Sequence, residues 1–336
     1  MTTAILAAAL PAVVLAWAAL PFLPALAEFR ARRDVAPLRI REHDRDDRRA
    51  ASGALGTDAR RFLRTPGSDD ALRLLDAPTL LDGDAAPVVI PGAASFADTE
   101  GTHVAAPLYV HGPHQGGAGD HYVALYSAAS ARLGPGTTVR DWLHADADLT
   151  VEADSRLGGS TSAGRVLTVA SGCRFERLHA PLVQIGSGTP LPPPTVPSLP
   201  LYTPAGTLSA GRTLVHGDLT IPPRHVVRGA LVVTGALRIG AGARIEGDVK
   251  AHGTIVLESG ATVAGHLFAE SDVWVEAAAR VEGALATEAR LELGPNVTVG
   301  TPTSPSSVSA RRIVAAAGVR VHGTLWALDE GITASR

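Results

Sequence analysis

The sequence predicts an all-β fold: a single-stranded parallel β-helix, three-sided, with 18 residues per coil, behind an N-terminal transmembrane helix. Three observations predict the β-helix. Every sixth residue from Leu237 to Val297 is apolar: Leu237, Ala243, Val249, Ile255, Ala261, Leu267, Val273, Ala279, Leu285, Leu291 and Val297. The position two further on, from Ile239 to Val299, is apolar again, with Thr287 the one exception. Two further still stand small residues: Ala241, Gly247, Gly253, Ser259, Gly265, Ser271, Ala277, Gly283 and Ala289. Residues two apart share one side of a strand. A small residue then lets the backbone bend, and Gly is free to take positive φ. Six residues make one strand and one corner, so three hexads close a circuit. The strongest matches are indeed 18 apart: Leu237, Ile255, Val273, Leu291 and Ile239, Leu257, Val275, Leu293. Apolar residues at helical three-and-four spacing are missing here. Internal periods of this kind mark a solenoid, whose coils stack into one continuous core.

The N-terminus has a different signal. Thr2 to Ala27 carries no charge and is rich in Ala, Leu and Val, long enough to cross a bilayer. Residues 1–28 are therefore expected to be a transmembrane anchor. Arg30, Arg32, Arg33, Arg39 and Arg41 follow it, and no Lys or Arg precedes it. By the positive-inside rule the rest of the chain is then cytoplasmic. Ala25-Leu26-Ala27 offers the competing reading, a cleaved signal peptide and a periplasmic protein.

Residues 29–97 read as a tether with short helices. Between positions 28 and 50 stand eight Arg and six Asp or Glu, the mixture of a solvated linker. Short helical turns are expected around Ala59–Leu63 and Ala71–Leu75. From Val88 the chain reads as strands broken by Gly, Pro and His: Val88-Val89-Ile90, Leu108-Tyr109-Val110, Tyr122-Val123-Ala124-Leu125.

Residues 98–187 are expected to hold irregular coils. Leu133, Val151 and Val169 are 18 apart, as are Val139, Leu157 and Phe175, and Ala145 and Ala163. Residues 188–206 break the pattern with six Pro between Pro190 and Pro200 and a further one at Pro204. Pro cannot donate to a ladder, so this is an excursion from the stack. Residues 207–330 are the regular β-helix. Its last coil, Ile313 to Leu325, repeats Ile255 to Leu267 with a four-residue insertion near Thr301–Ser307. The simplest picture is one stack of coils with the Pro-rich segment bulging from its side; two hinged stacks are the alternative. Residues 51–130 would cap the first end, and Gly331 to Arg336 is too short to cap the other.

Composition narrows the function. Net charge is only −3, and Lys250 is the sole Lys, so no basic footprint for nucleic acid exists. Cys173 is the single Cys, which rules out an intrachain disulfide.

The run Gly229-Ala-Leu-Val-Val-Thr-Gly-Ala-Leu-Arg-Ile-Gly-Ala-Gly-Ala-Arg-Ile-Glu-Gly-Asp-Val-Lys-Ala-His-Gly253 resembles the bactofilins, polymer-forming bacterial cytoskeletal proteins. Gly260-Ala-Thr-Val-Ala-Gly-His-Leu and Ala279-Arg-Val-Glu-Gly-Ala-Leu continue the likeness. It covers about residues 207–300, with a fainter echo in 131–186. The resemblance implies a right-handed helix that stacks end to end into nucleotide-independent filaments, often at the inner membrane. The chain departs from that family in its two repeat blocks, its Pro-rich break and its long N-terminal part.

Several residues invite chemistry. His252 and His266 are the only candidates for a hexapeptide-type acyltransferase, but both fall at outward positions beside corners. The row Glu246, Glu258, Glu270, Glu276, Glu282 and Glu288 could bind a cation, though Arg244 and Arg280 lie two residues from Glu246 and Glu282. His111, His114 and His121 cluster in a Gly-rich loop at a spacing that fits no metal motif. Val256, Phe268 and Trp274 point outward and call for a cover or a partner. No phosphate loop, nucleophile elbow or zinc-protease signature is present. No catalytic, cofactor or metal residue is therefore expected. The expectation is a membrane-anchored scaffold, not an enzyme, that associates with copies of itself and with envelope proteins. The rivals are the acyltransferase and an exported β-helix that binds envelope polysaccharide.

Overall fold

The computed structural model describes residues 88–90, 92–187, 199–209 and 212–334. The chain divides into two compact units, Met1–Ala51 and Ser52–Arg336, and every described residue belongs to the second. The expected transmembrane helix and nearly all of the expected tether lie outside the described residues. Among the described residues no helix is long and apolar enough to cross a membrane.

What is described is all strand: a β-solenoid of about 13 turns. The in-register columns read from the sequence pair as expected. Leu237 faces Ile255, Ile255 faces Val273 and Val273 faces Leu291, all parallel. In the earlier block Leu133 faces Val151 and Val139 faces Leu157, again parallel. The insertion is where the sequence places it: Leu291 faces Ile313, 22 residues on. The inward residues form a single core running through both blocks.

Each coil has three walls, which we call A, B and C. In residues 88–187, wall A holds His121–Tyr122, Thr138–Val139, Arg156–Leu157 and Arg174–Phe175. Wall B holds Leu108–Val110, Leu125–Ser127, Leu143–Ala145, Thr161–Ala163 and Leu178–Ala180. Wall C holds Ala131–Leu133, Leu149–Val151, Leu167–Val169 and Val183–Ile185. Among the described residues the solenoid starts at Val88–Ile90, which lies on Leu108–Val110 of wall B, inside the stretch expected as tether.

The second block does not continue the first in the same direction. The last coil of the first block, Arg174–Ile185, pairs antiparallel with the last strand of the second, Arg320–Thr333. The blocks meet end to end by their C-terminal coils, and both N-terminal coils face outward. Leu178 stands opposite Leu325 and Val183 opposite Val321, all buried. The blocks are thus related by an approximate two-fold axis through the joint. This corrects the picture of one stack wound in a single direction, and of a C-terminus that leaves its end uncapped. The final coil is not an end: Thr333 N donates to Cys173 O (2.9 Å), and Gly172 N donates to Thr333 O (2.9 Å).

The inversion explains the Pro-rich segment. The chain leaves the joint after Gly186 and re-enters at Pro200–Tyr202, where Tyr202 N donates to Val226 O. On wall C the steps Leu201, Val226, Arg244, Thr262, Arg280, Thr298, Arg320 and Gln184 separate these points by seven layers. At about 4.8 Å per layer that is about 34 Å. The roughly dozen residue steps from Ser187 to Leu199 suffice, since a polyproline chain rises about 3.1 Å per residue.

Left-handed backbone recurs at one corner of the coils, and Gly159, Gly186, Gly217, Gly229, Gly300 and Gly323 adopt it elsewhere. Gly101, Gly119, Gly136, Asp154 and Gly172 all have positive φ, and so do Arg224, Gly242, Gly260, Ala278, Asn296 and Gly318. In both blocks these residues lie at the corner between walls A and C. The first block turns from C to A there, and the second from A to C, as the two-fold relation requires.

Candidate functional site

Of the candidates read from the sequence, Glu258, Glu276 and His266 are engaged in building corners. Glu258 Oε2 accepts from Ala241 N (2.8 Å), and Glu276 Oε2 from Ser259 N (3.1 Å). Asp218, Asp248 and Asp272 do the same, accepting from Ala236 N, His266 N and Arg290 N. Each carboxylate thus satisfies an amide of an adjacent coil that the corner leaves without a ladder partner. His266 belongs to this set, because its Nδ1 accepts from Ala284 N (2.9 Å). His252 Nδ1 lies 2.8 Å from Glu270, whose carboxyl is held below its usual value mainly by that contact. Arg244 reaches both Glu246 (3.8 Å) and Glu282 (3.5 Å). Val256 and Trp274 are neighbours on wall A, but Phe268 is on wall B beneath Lys250.

The three His of the Gly-rich loop are not brought together. His121 is exposed beside His103, with ring centroids 5.7 Å apart, while His114 points into the core. Among the described residues no group of three or more His, Cys, Asp or Glu is placed to hold a metal ion. His114 belongs to a buried knot at the first end. Asp120, fully buried, accepts from Thr102 N (2.9 Å), Gly117 N (2.8 Å) and Tyr122 Oη (2.7 Å). Since the Tyr122 proton goes to Asp120, His114 Nε2 must be the donor across its 3.1 Å contact with Tyr122 Oη. That leaves His114 Nδ1 bare and buried without a partner. Burial pushes the imidazole down to about 4, against an opposing pull from Asp120. Burial and Asp120 together push the Tyr122 phenol well above its usual value.

Reading the apolar pattern alone misses the most organised polar array. Val89, Tyr109, Tyr126, His144, Ser162, His179 and Thr324 form one outward column on wall B. The Tyr126 and His144 rings stack at 5.7 Å and 14°. Ser162 Oγ is 2.7 Å from His144 Nδ1, and His144 Nε2 is 3.1 Å from Asp146 Oδ1. Tyr126 Oη donates to Asp146 Oδ2 (2.8 Å). Hydroxyl, imidazole and carboxylate stand in the order of a nucleophilic relay. Ser162 is only 2% exposed, however, so no substrate carbonyl reaches Oγ in this conformation. The signal that finds this column is the same period carried by polar residues: Tyr126, His144 and Ser162 are 18 apart.

No protein-family model matches the chain, and neither a curated protein nor a solved structure matches it. The class is therefore set by the fold: an all-β solenoid of two opposed blocks.

Proposed function

We propose that the protein is a structural scaffold of the bactofilin-like kind, held at the bacterial inner membrane by residues 1–28 and without catalytic turnover. The coils lie on the cytoplasmic side in this reading, and copies associate end-on. The observation that supports it most is the state of the outer end of the second block. There Thr207–Ser209 covers one wall as an antiparallel hairpin with Arg212–Leu214, and Leu201 bridges to Val226 on another. Among the described residues wall A ends in Leu219–Ile221, which pairs on one side with Leu237–Ile239. Around this edge Leu208 is 77% exposed and Leu201 58%. A strand edge flanked by exposed Leu is a template for another chain. Electron microscopy of the protein without residues 1–50 tests the reading. Filaments or discrete oligomers are expected; monodisperse monomers at high concentration reject it.

Wall B favours a second reading. Trp142, Ser160, Arg177, Trp326, Ser309, Ala286 and Phe268 form one outward row. Aromatic rings thus recur every three layers, about 14 Å apart, with Arg177 over Trp326. Such a row suits an envelope polysaccharide outside the cytoplasm. A reporter fused after Arg336 that works only in the periplasm would select this reading over the first.

A further inference from the structure

We propose that wall A of the second block is a lateral docking face for a second copy of this chain, packed face to face and antiparallel. End-on association leaves Val256 and Trp274 unused. Both point outward, because Ile255, Leu257, Val273 and Val275 take the inward positions on either side of them. In this block wall A carries one outward column: Thr220, Arg238, Val256, Trp274, Glu292 and Val314, each paired with the next. From Arg238 to Glu292 the column reads positive, apolar, apolar, negative.

That order is self-complementary, which selects the occupant. A two-fold axis lying in the face between Val256 and Trp274, along the strands, sets Trp274 of each copy on Val256 of the other. The same operation sets Glu292 on Arg238 and Val314 on Thr220. At the corner just before the column, exposed Arg312 then meets exposed Asp218. A parallel pair fails, because an axis along the rod sets Glu292 on Glu292 and Arg238 on Arg238, and like charges repel. Glu258 and Glu276, at the opposite corner, do not oppose the antiparallel pair. Their carboxylates turn along the rod onto Ala241 N and Ser259 N. Arg238 and Glu292 have partners within the chain, Glu258 and Arg290, yet their side chains stay 57% and 38% exposed. The matched column spans five layers, about 24 Å, with the faces about 10 Å apart. That patch is small beside a permanent interface, so the pairing is reversible and rises with concentration.

The test uses the purified full chain in mild detergent. The photoreactive residue p-benzoylphenylalanine in place of Trp274 should crosslink at dimer mass, with a yield that rises with concentration. Cleavage after Glu should then place the link on residues 247–258 of the second copy, the peptide that holds Val256. Arg238→Glu and Glu292→Arg, each alone, should cut the dimer yield at least about tenfold, since each mismatch occurs twice in the pair. The two together restore opposite charges and should recover the dimer. The crosslink should also persist with Leu201→Glu and Leu208→Glu, so a failure of end-on association shows separately from a failure here. Links to residues 271–276 of the second copy, to another protein, or at monomer mass only overturn the proposal. So does a double charge swap that recovers nothing, or a dimer lost with Leu201→Glu and Leu208→Glu.

Discussion

Phe175 of the first block packs over Gly331 of the second, so closely that a methyl group on Gly331 would collide with the ring edge at Cε2 and Cζ. The two residues are register partners across the antiparallel joint. They act as knob and hole, and Phe175 is buried there. Gly331→Ala is expected to cost about 1–3 kcal/mol as an overpacked contact. Urea unfolding measures it. Phe175→Leu in the same chain should recover part of the loss, and the double-mutant cycle should show coupling. Additive losses would mean that the ring and the Gly do not meet.

The left-handed corner gives a matched pair of substitutions. Gly260 has φ +68° with nothing within 4 Å of where a Cβ would stand, and Ala278 one coil on has φ +60°. Gly260→Ala should cost about 1 kcal/mol through backbone strain alone. Ala278→Gly should gain about 0.5–1 kcal/mol, because the relieved strain exceeds the added chain entropy. Opposite shifts of the thermal midpoint are the expected result.

His114 makes the first end sensitive to acid. Its folded value of about 4 lies below the ordinary 6.5. Between those values the unfolded chain binds a proton that the folded chain refuses, so stability falls as pH drops from 6.5 towards 4 and is level above 6.5. The loss from this group approaches about 3 kcal/mol. Gln in place of His114 keeps a donor for Tyr122 and does not titrate. Comparing the pH dependence of unfolding for the wild type and His114→Gln should show a shallower acid slope in the variant.

End-on association through the outer edge of the second block predicts that Leu201→Glu with Leu208→Glu disperses oligomers. Both side chains are exposed, so the folded monomer should lose less than about 0.5 kcal/mol. Analytical ultracentrifugation and thermal melting, taken together, check both parts.

Within each block the pairings were legible because a coil touches only its neighbours, so one spacing fixes every partner. Leu237 against Ile255 and Leu291 against Ile313 could be read from the chain alone. Ser162, His144 and Asp146 were legible in spacing but not in meaning. An outward column of polar residues looks solvated until its burial is seen.

The sequence by itself determined the walls, the corners and the in-out alternation, because periods of two and 18 follow from strand geometry. Only the tertiary structure decided that the second block turns back to meet the first. A period is the same read in either direction, and a coil edge accepts a parallel or an antiparallel neighbour. What favours the antiparallel joint is complementarity between residues far apart in the chain: Phe175 against Gly331, Leu178 against Leu325, and the Thr333 hydroxyl accepting from Cys173 N at 2.8 Å.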